Sequence, residues 1–315
     1  MNLAECYLQE DCFAEAAETL ARIDLSQTGG SSSDKSSALF KANINVRVAE
    51  LFMDESVDDC GKADMFVRKA QLHIQNVDVN EVDDAGTPVG LQIHLRYRFV
   101  FAKVLDAKRN FLQAAHEYYR ITTDQTAQSI EEDDILNILK CALTCAVLGT
   151  AGPQRKRVLG VLYKDVRTQA LEFHGIMTSM YKDRLLRRAE VESFAKSLLP
   201  HHQALVGSTG KTVLEVAVLE HNVVACSKLY NNISFQQLGT LLDITPFEAE
   251  KICSKMIGEK RLAGTIDQVD EMMFFGTATA RDPSQALINW DAQIGRICSE
   301  MNQLAEAIGK ETAGP

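Results

Sequence analysis

SFQQLGTLLDITPFEAEKICSKMIGEKRLAGTIDQVDEMMFF, residues 234–275, decides the fold. Ser234 reads as a helix N-cap with Gln237 three residues on, a capping box that opens a helix carrying Phe235, Leu238, Leu241 and Leu242. That helix stops near Asp243. Thr245-Pro246-Phe247-Glu248 starts the next, with Thr as N-cap, Pro at the first helical position and Glu at the third. Its expected buried face is Phe247, Ala249, Ile252 and Met256. Two extended runs follow, Leu262–Gln268 and Met272–Phe275, joined by Val269-Asp270-Glu271. Upstream, an amphipathic helix spans Leu214 to Tyr230. Three helices followed by a β-hairpin predict a winged helix-turn-helix over 214–278.

Many winged helices bind DNA, so charge must arbitrate. Residues 219–276 hold eight acids and five bases, and the helix that would enter a groove interleaves Glu with Lys. A duplex reader needs a coherent basic face for phosphates. The segment is therefore expected to be a protein–protein platform. The whole chain, at net charge −10, gives no nucleic-acid or anionic-membrane surface either.

Downstream, Arg281-Asp282-Pro283 marks a break before a helix at 284–310. Leu287, Trp290, Ile294, Ile297, Met301, Leu304 and Ile308 alternate steps of three and four, the spacing of a seam meant to bury against other helices. It either folds back on its own domain or enters a bundle with other chains.

Upstream lies the connector PHHQALVGSTGKTV, residues 200–213. Its Gly207, Gly210 and Lys211 resemble part of a phosphate-binding loop. The position five residues before Gly210 is Leu205 rather than Gly, however, and no strand leads into it. His201 and His202 are adjacent, and chain neighbours rarely point the same way, so a metal site is disfavoured. The stretch reads as a solvated linker, and His201, His202, Gly207, Gly210 and Lys211 as a candidate regulatory connector.

Before it, helical pattern dominates. Phe13, Ala16, Ala17, Leu20 and Ile23 form a template that returns at Phe111, Ala114, Ala115, Tyr118 and Ile121. A fainter copy runs through Cys60, Ala63, Val67 and Ala70. Adjacent small residues let the helices of a hairpin lie close, so this marks a helical repeat. The copies are separated by 47 and 51 residues, too irregular for a strict tetratricopeptide array. An irregular TPR/HEAT-like α-solenoid is expected. Its divisions are N-terminal repeats over 1–110, further repeats over 111–199, the connector and the winged helix. Ser26–Ser37 and Asn76–Gly90 read as loops. The array starts at residue 1 without a capping element, so an N-terminal portion is expected to be either missing or supplied by another chain.

The composition agrees: 315 residues, 46% hydrophobic, 24% charged and only six prolines. Eight cysteines show no C-x-x-C and no metal spacing, and read as core thiols of a reduced, intracellular protein. No apolar run reaches the roughly 18 residues a membrane span requires. No cofactor is implied.

A helical-repeat array flowing into a winged helix and then a C-terminal helix resembles the PCI domain family. That family is shared by the proteasome lid, the COP9 signalosome and translation initiation factor three. Ala217-Val218-Leu219-Glu220-His221-Asn222, Ala225–Ile233, Leu238-Gly239, Ala249–Ile252, Met256-Ile257, Ile266–Gln268 and Trp290-Asp291 look like the signalosome branch. So do Ala102–Asp106 and Gly152–Arg155. The resemblance implies a non-catalytic scaffold in cytoplasm and nucleus, partnered by other PCI subunits edge to edge. It also implies that the last helix joins a bundle docking a catalytic heterodimer, which the connector faces. The complex removes a ubiquitin-like modifier from cullins with a different, zinc-dependent subunit. That chemistry needs an H-x-H pair, and none occurs among the seven histidines here. The alternatives are a paralogous proteasome-lid subunit and a nucleic-acid-binding winged helix.

Overall fold

The computed structural model describes residues 2–23, 34–54, 57, 59–77, 89–123, 130–205, 210–276, 290–291 and 293–303. It divides into two compact units, Met1–His221 and Asn222–Pro315. The division falls inside one helix of the expected PCI region, rather than at 110/111 or 213/214.

The first unit is built of α1 (Asn2–Gln9), α2 (Phe13–Ala21), α3 (Asp34–Phe52), α4 (Cys60–Ile74), α5 (Val89–Ala107), α6 (Phe111–Thr123), α7 (Glu132–Leu148), α8 (Pro153–Lys164), α9 (His174–Tyr181) and α10 (Arg188–Ala195). From α1 to α9, each helix packs on the next in sequence, as expected of a solenoid. The template alanines explain the close approach: Ala16, Ala17, Ala63, Ala70, Ala114 and Ala115 are all fully buried. The two strong copies also share a turn. Asp11 and Arg109 adopt left-handed φ of 55° and 62°. The next amide then reaches back across the helix end, Cys12 N to the Tyr7 carbonyl and Asn110 N to the Leu105 carbonyl, each at 2.9 Å. This bond closes only after a left-handed residue. One core cluster joins Leu20, Val48, Phe52, Phe66, Val67 and Val104. A larger one runs from Ala102 through Tyr118, Leu139, Leu143, Leu162, Met177 and Phe194 to Val218. Two loop boundaries shift, because α3 begins at Asp34 and α5 at Val89, inside stretches that carry no helical periodicity of their own.

α11 (Val213–Leu229) runs through the division between units. The second unit continues with β1 (Asn232–Ser234), α12 (Phe235–Leu242), α13 (Pro246–Gly258), β2 (Gly264–Asp267) and β3 (Met272–Phe275). Its core is Val223, Cys226, Ile233, Phe235, Leu238, Ala249, Cys253, Met256 and Met273. The Ser234 hydroxyl accepts from Gln237 N, and Thr245 with Glu248 forms the full capping box. Gly239 permits the tight turn between α12 and α13, since a Cβ there would stand 2.7 Å from the Ile244 carbonyl oxygen.

Two expectations change in this unit. Phe247 is 74% exposed, and the buried face of α13 is Ala249, Cys253 and Met256. At 100° per residue Phe247 stands about 180° from Met256, so it cannot share that face. The wing is also more than a hairpin: β1 pairs antiparallel with β3, giving a three-stranded sheet in the order β1-β3-β2.

Candidate functional site

Three surfaces carry the chemistry expected of the chain. The first is the C-terminal seam. Residues 290–291 and 293–303 are helical, and every described side chain among them is exposed. Trp290, Ile294, Ile297 and Met301 are 68%, 51%, 57% and 64% exposed. Leu287, Leu304 and Ile308 lie outside the described residues. Four large apolar groups in helical register, all facing water, form a stripe of the kind that marks an interaction surface.

The second is the connector. Its opening is not a free linker, because Pro200–Gln203 forms a 3₁₀ turn that buries His202. Nor do the two histidines diverge: His202 Nε2 lies 2.8 Å from Asp106 Oδ1 and His201 Nε2 lies 3.4 Å from Asp106 Oδ2. In this 3₁₀ turn both rings reach the carboxylate at the end of α5, their centroids 3.9 Å apart. The imidazoles hold the Asp106 carboxyl down at about 2 even though burial alone would raise it. Farther on, Leu205 bridges Thr212, and Gly210 takes φ +64°. Gly207 lies outside the described residues. Lys211 sits half-buried beside the start of α11. There Thr212 Oγ1 accepts from Glu215 N while Glu215 Oε2 accepts from Thr212 N. That reciprocal cap occupies donors a phosphate would need at this helix N-terminus.

The third is the winged-helix face. Lys251, Lys255 and Lys260 are exposed, but Glu259 is exposed and Glu248 half-buried beside them, and Glu250 accepts from Gln268 at 2.7 Å. No uniform basic face exists among the described residues. Among the described residues, the outer strands β1 and β2 each pair on one edge only.

A buried polar network ties the family-like sequence runs together, and sequence periodicity gave no sign of it. Arg155, 4% exposed, donates to the Gly149 and Ala217 carbonyls at 3.1 and 3.5 Å. Buried Glu220 accepts from Ala151 N at 3.3 Å. His221 Nε2 lies 2.8 Å from the Arg184 carbonyl, and burial together with the nearby Arg155 charge lowers its pKa to about 4. The charged residues of Gly152–Arg155 and Ala217–Asn222 therefore fasten α11 to the loop between α7 and α8. They are structural fasteners.

A helical array, a three-stranded winged helix and an uncovered terminal helix together define a PCI-type subunit architecture, and the PCI domain matches residues 182–277. The chain is 37% identical over 314 residues to COP9 signalosome complex subunit 4 of Arabidopsis thaliana, covering 98% of this chain and 73% of that protein. The subunit 4 proteins of Dictyostelium discoideum and Drosophila melanogaster are 37% and 35% identical, with 72% and 69% of their lengths covered. The chain belongs to the COP9 signalosome subunit 4 family.

Proposed function

We propose that this chain is a non-catalytic scaffold subunit of the COP9 signalosome. It supports removal of the ubiquitin-like modifier from cullins by holding other subunits in place. The observation that carries this is the similarity, along 98% of the chain, to proteins named as subunit 4 of that complex. The exposed apolar stripe at Trp290, Ile294, Ile297 and Met301 gives the bundle helix its binding face. The open edges of the β1-β3-β2 sheet suit edge-to-edge pairing with other PCI subunits. By family resemblance this function is expected in cytoplasm and nucleus; separately, no described helix is long and apolar enough to cross a membrane.

The connector supplies the regulatory part of the reading. Leu205 and Thr212 are bridged, so residues 206–211 can be replaced by an Asn-Gly turn without disturbing the anchored Pro200–Gln203. The complex should assemble with this variant and show a changed basal deconjugation rate. An unaltered rate sinks the regulatory role. The scaffold reading itself is tested by purifying the tagged chain from its own cells and identifying co-purifying proteins by mass spectrometry. Signalosome subunits are expected, and recovery of proteasome-lid subunits instead would overturn it.

A further inference from the structure

Asp106 is a buried carboxylate with an unusual set of neighbours. It closes α5 with its side chain 9% exposed, and its charge is supported by His201 and His202 rather than by lysine or arginine. On α7 the Cys145 thiol feels the same carboxylate: burial, together with the Asp106 charge, raises the thiol well above its ordinary value. The ring of Phe111, on α6, packs edge-on against His202. Four segments of the first unit thus enclose one negative charge.

Asp106, His201 and His202 are grouped closely enough to hold one divalent cation. One ligand atom from each of Asp106, His201 and His202 can be chosen so that all lie within 4.8 Å of one another. Ligands around a tetrahedral zinc, with bonds of about 2.0–2.1 Å, stand about 3.3 Å apart. His202 Nε2 lies 2.8 Å from Asp106 Oδ1 and His201 Nε2 lies 3.4 Å from Oδ2, so each imidazole reaches the carboxylate through its own oxygen, at a separation of that order. Two imidazoles and a carboxylate form a borderline donor set suited to zinc rather than to magnesium or calcium. His201, with its side chain 33% exposed, leaves a route of entry. His202 Nδ1 has no hydrogen-bond partner among the described residues.

We propose that Asp106, His201 and His202 form a structural divalent-metal site of the zinc type that clamps the start of the connector to the end of α5. The full chain, stripped with a chelator and returned to metal-free buffer, is titrated with Zn²⁺ and separately with Co²⁺. One equivalent should bind and raise the melting temperature. The cobalt form should show tetrahedral visible bands without the sulfur charge-transfer band that a thiolate ligand gives, which separates this site from the exposed Cys6 and Cys298. Asp106→Asn should abolish binding, but it alters a buried charge and can unfold the chain. His201→Gln, at a partly exposed position, should weaken binding at least tenfold while the metal-free melting temperature stays put. Absence of a bound equivalent, or binding unchanged in His201→Gln, overturns the proposal in favour of a purely hydrogen-bonded triad.

Discussion

Replacing Ile294 and Ile297 by Asp separates the work of the terminal helix in the monomer from its work in the complex. In the single chain the two isoleucines are already 51% and 57% exposed. Charging such positions falls in the range of surface substitutions, within about 0.5 kcal/mol. For a chain of this size that corresponds to a shift of less than about 2 °C in melting temperature. In a helical bundle the remaining half of each side chain would be covered. Full burial of an isoleucine contributes about 1.5–3 kcal/mol, so the pair loses about 2 kcal/mol of apolar transfer on mutation. Two carboxylates placed unpaired in a dry interface add a penalty of at least several kcal/mol. The sum exceeds about 5 kcal/mol, or more than a thousandfold in affinity. The assay is reconstitution with partner subunits followed by size-exclusion chromatography, beside a circular-dichroism melt of the isolated chain. Assembly should be lost with the melt unchanged. A melt that collapses while assembly persists refutes the reasoning, because the stripe would then be packing on its own chain.

Three further outcomes follow from particular side chains. Met256→Ala should destabilise the winged helix by about 2–5 kcal/mol, whereas Phe247→Ala should change it by less than about 0.5 kcal/mol; urea titrations of both variants check the assignment of the buried face of α13. His221 has a folded pKa lowered to about 4 against about 6.5 unfolded, so its contribution is present above pH 6.5 and lost as pH falls through 4, about 3 kcal/mol in all. His221→Gln should flatten that part of the stability profile, and an identical slope between pH 6.5 and 4 in both proteins would rule the assignment out. Affinity for duplex DNA at physiological salt should stay in the non-specific range of about 10⁻⁴–10⁻⁶ M, and Lys251, Lys255 and Lys260 changed to Glu should make no further difference; tighter wild-type binding in a gel shift contradicts the platform reading.

Periodicity and punctuation made much of this architecture readable. Thr245-Pro246-Phe247-Glu248 announces α13 because capping is a local matter of four residues. The F-x-x-A-A template announces the hairpins because close helix packing demands small side chains. Phe247 was misplaced because apolar character says nothing about which way a residue faces in the first helical turn, where two positions decide the phase. Asn232–Ser234 escaped notice as a strand because three residues carry no period, and their partner lies some forty residues further along. The histidine pair was misjudged for the same reason. What turns both rings onto Asp106 is a 3₁₀ turn meeting a helix end nearly a hundred residues away, and that coincidence is tertiary.

The order β1-β3-β2 also has a consequence in time. The central strand of this sheet is the last to leave the ribosome, so β1 and β2 are both made before anything exists for them to pair with. At about 5–20 residues per second, β1 waits seconds for Met272–Phe274 to arrive. Through that interval Ile233, with Met273 as its eventual partner, stands on an unpaired strand while α12 and α13 can already have coiled beside it. The winged helix is thus completed in one late event, the arrival of four residues. A nascent chain stalled at Glu271 would present two bare strand edges of the kind that recruits other strands into aggregates.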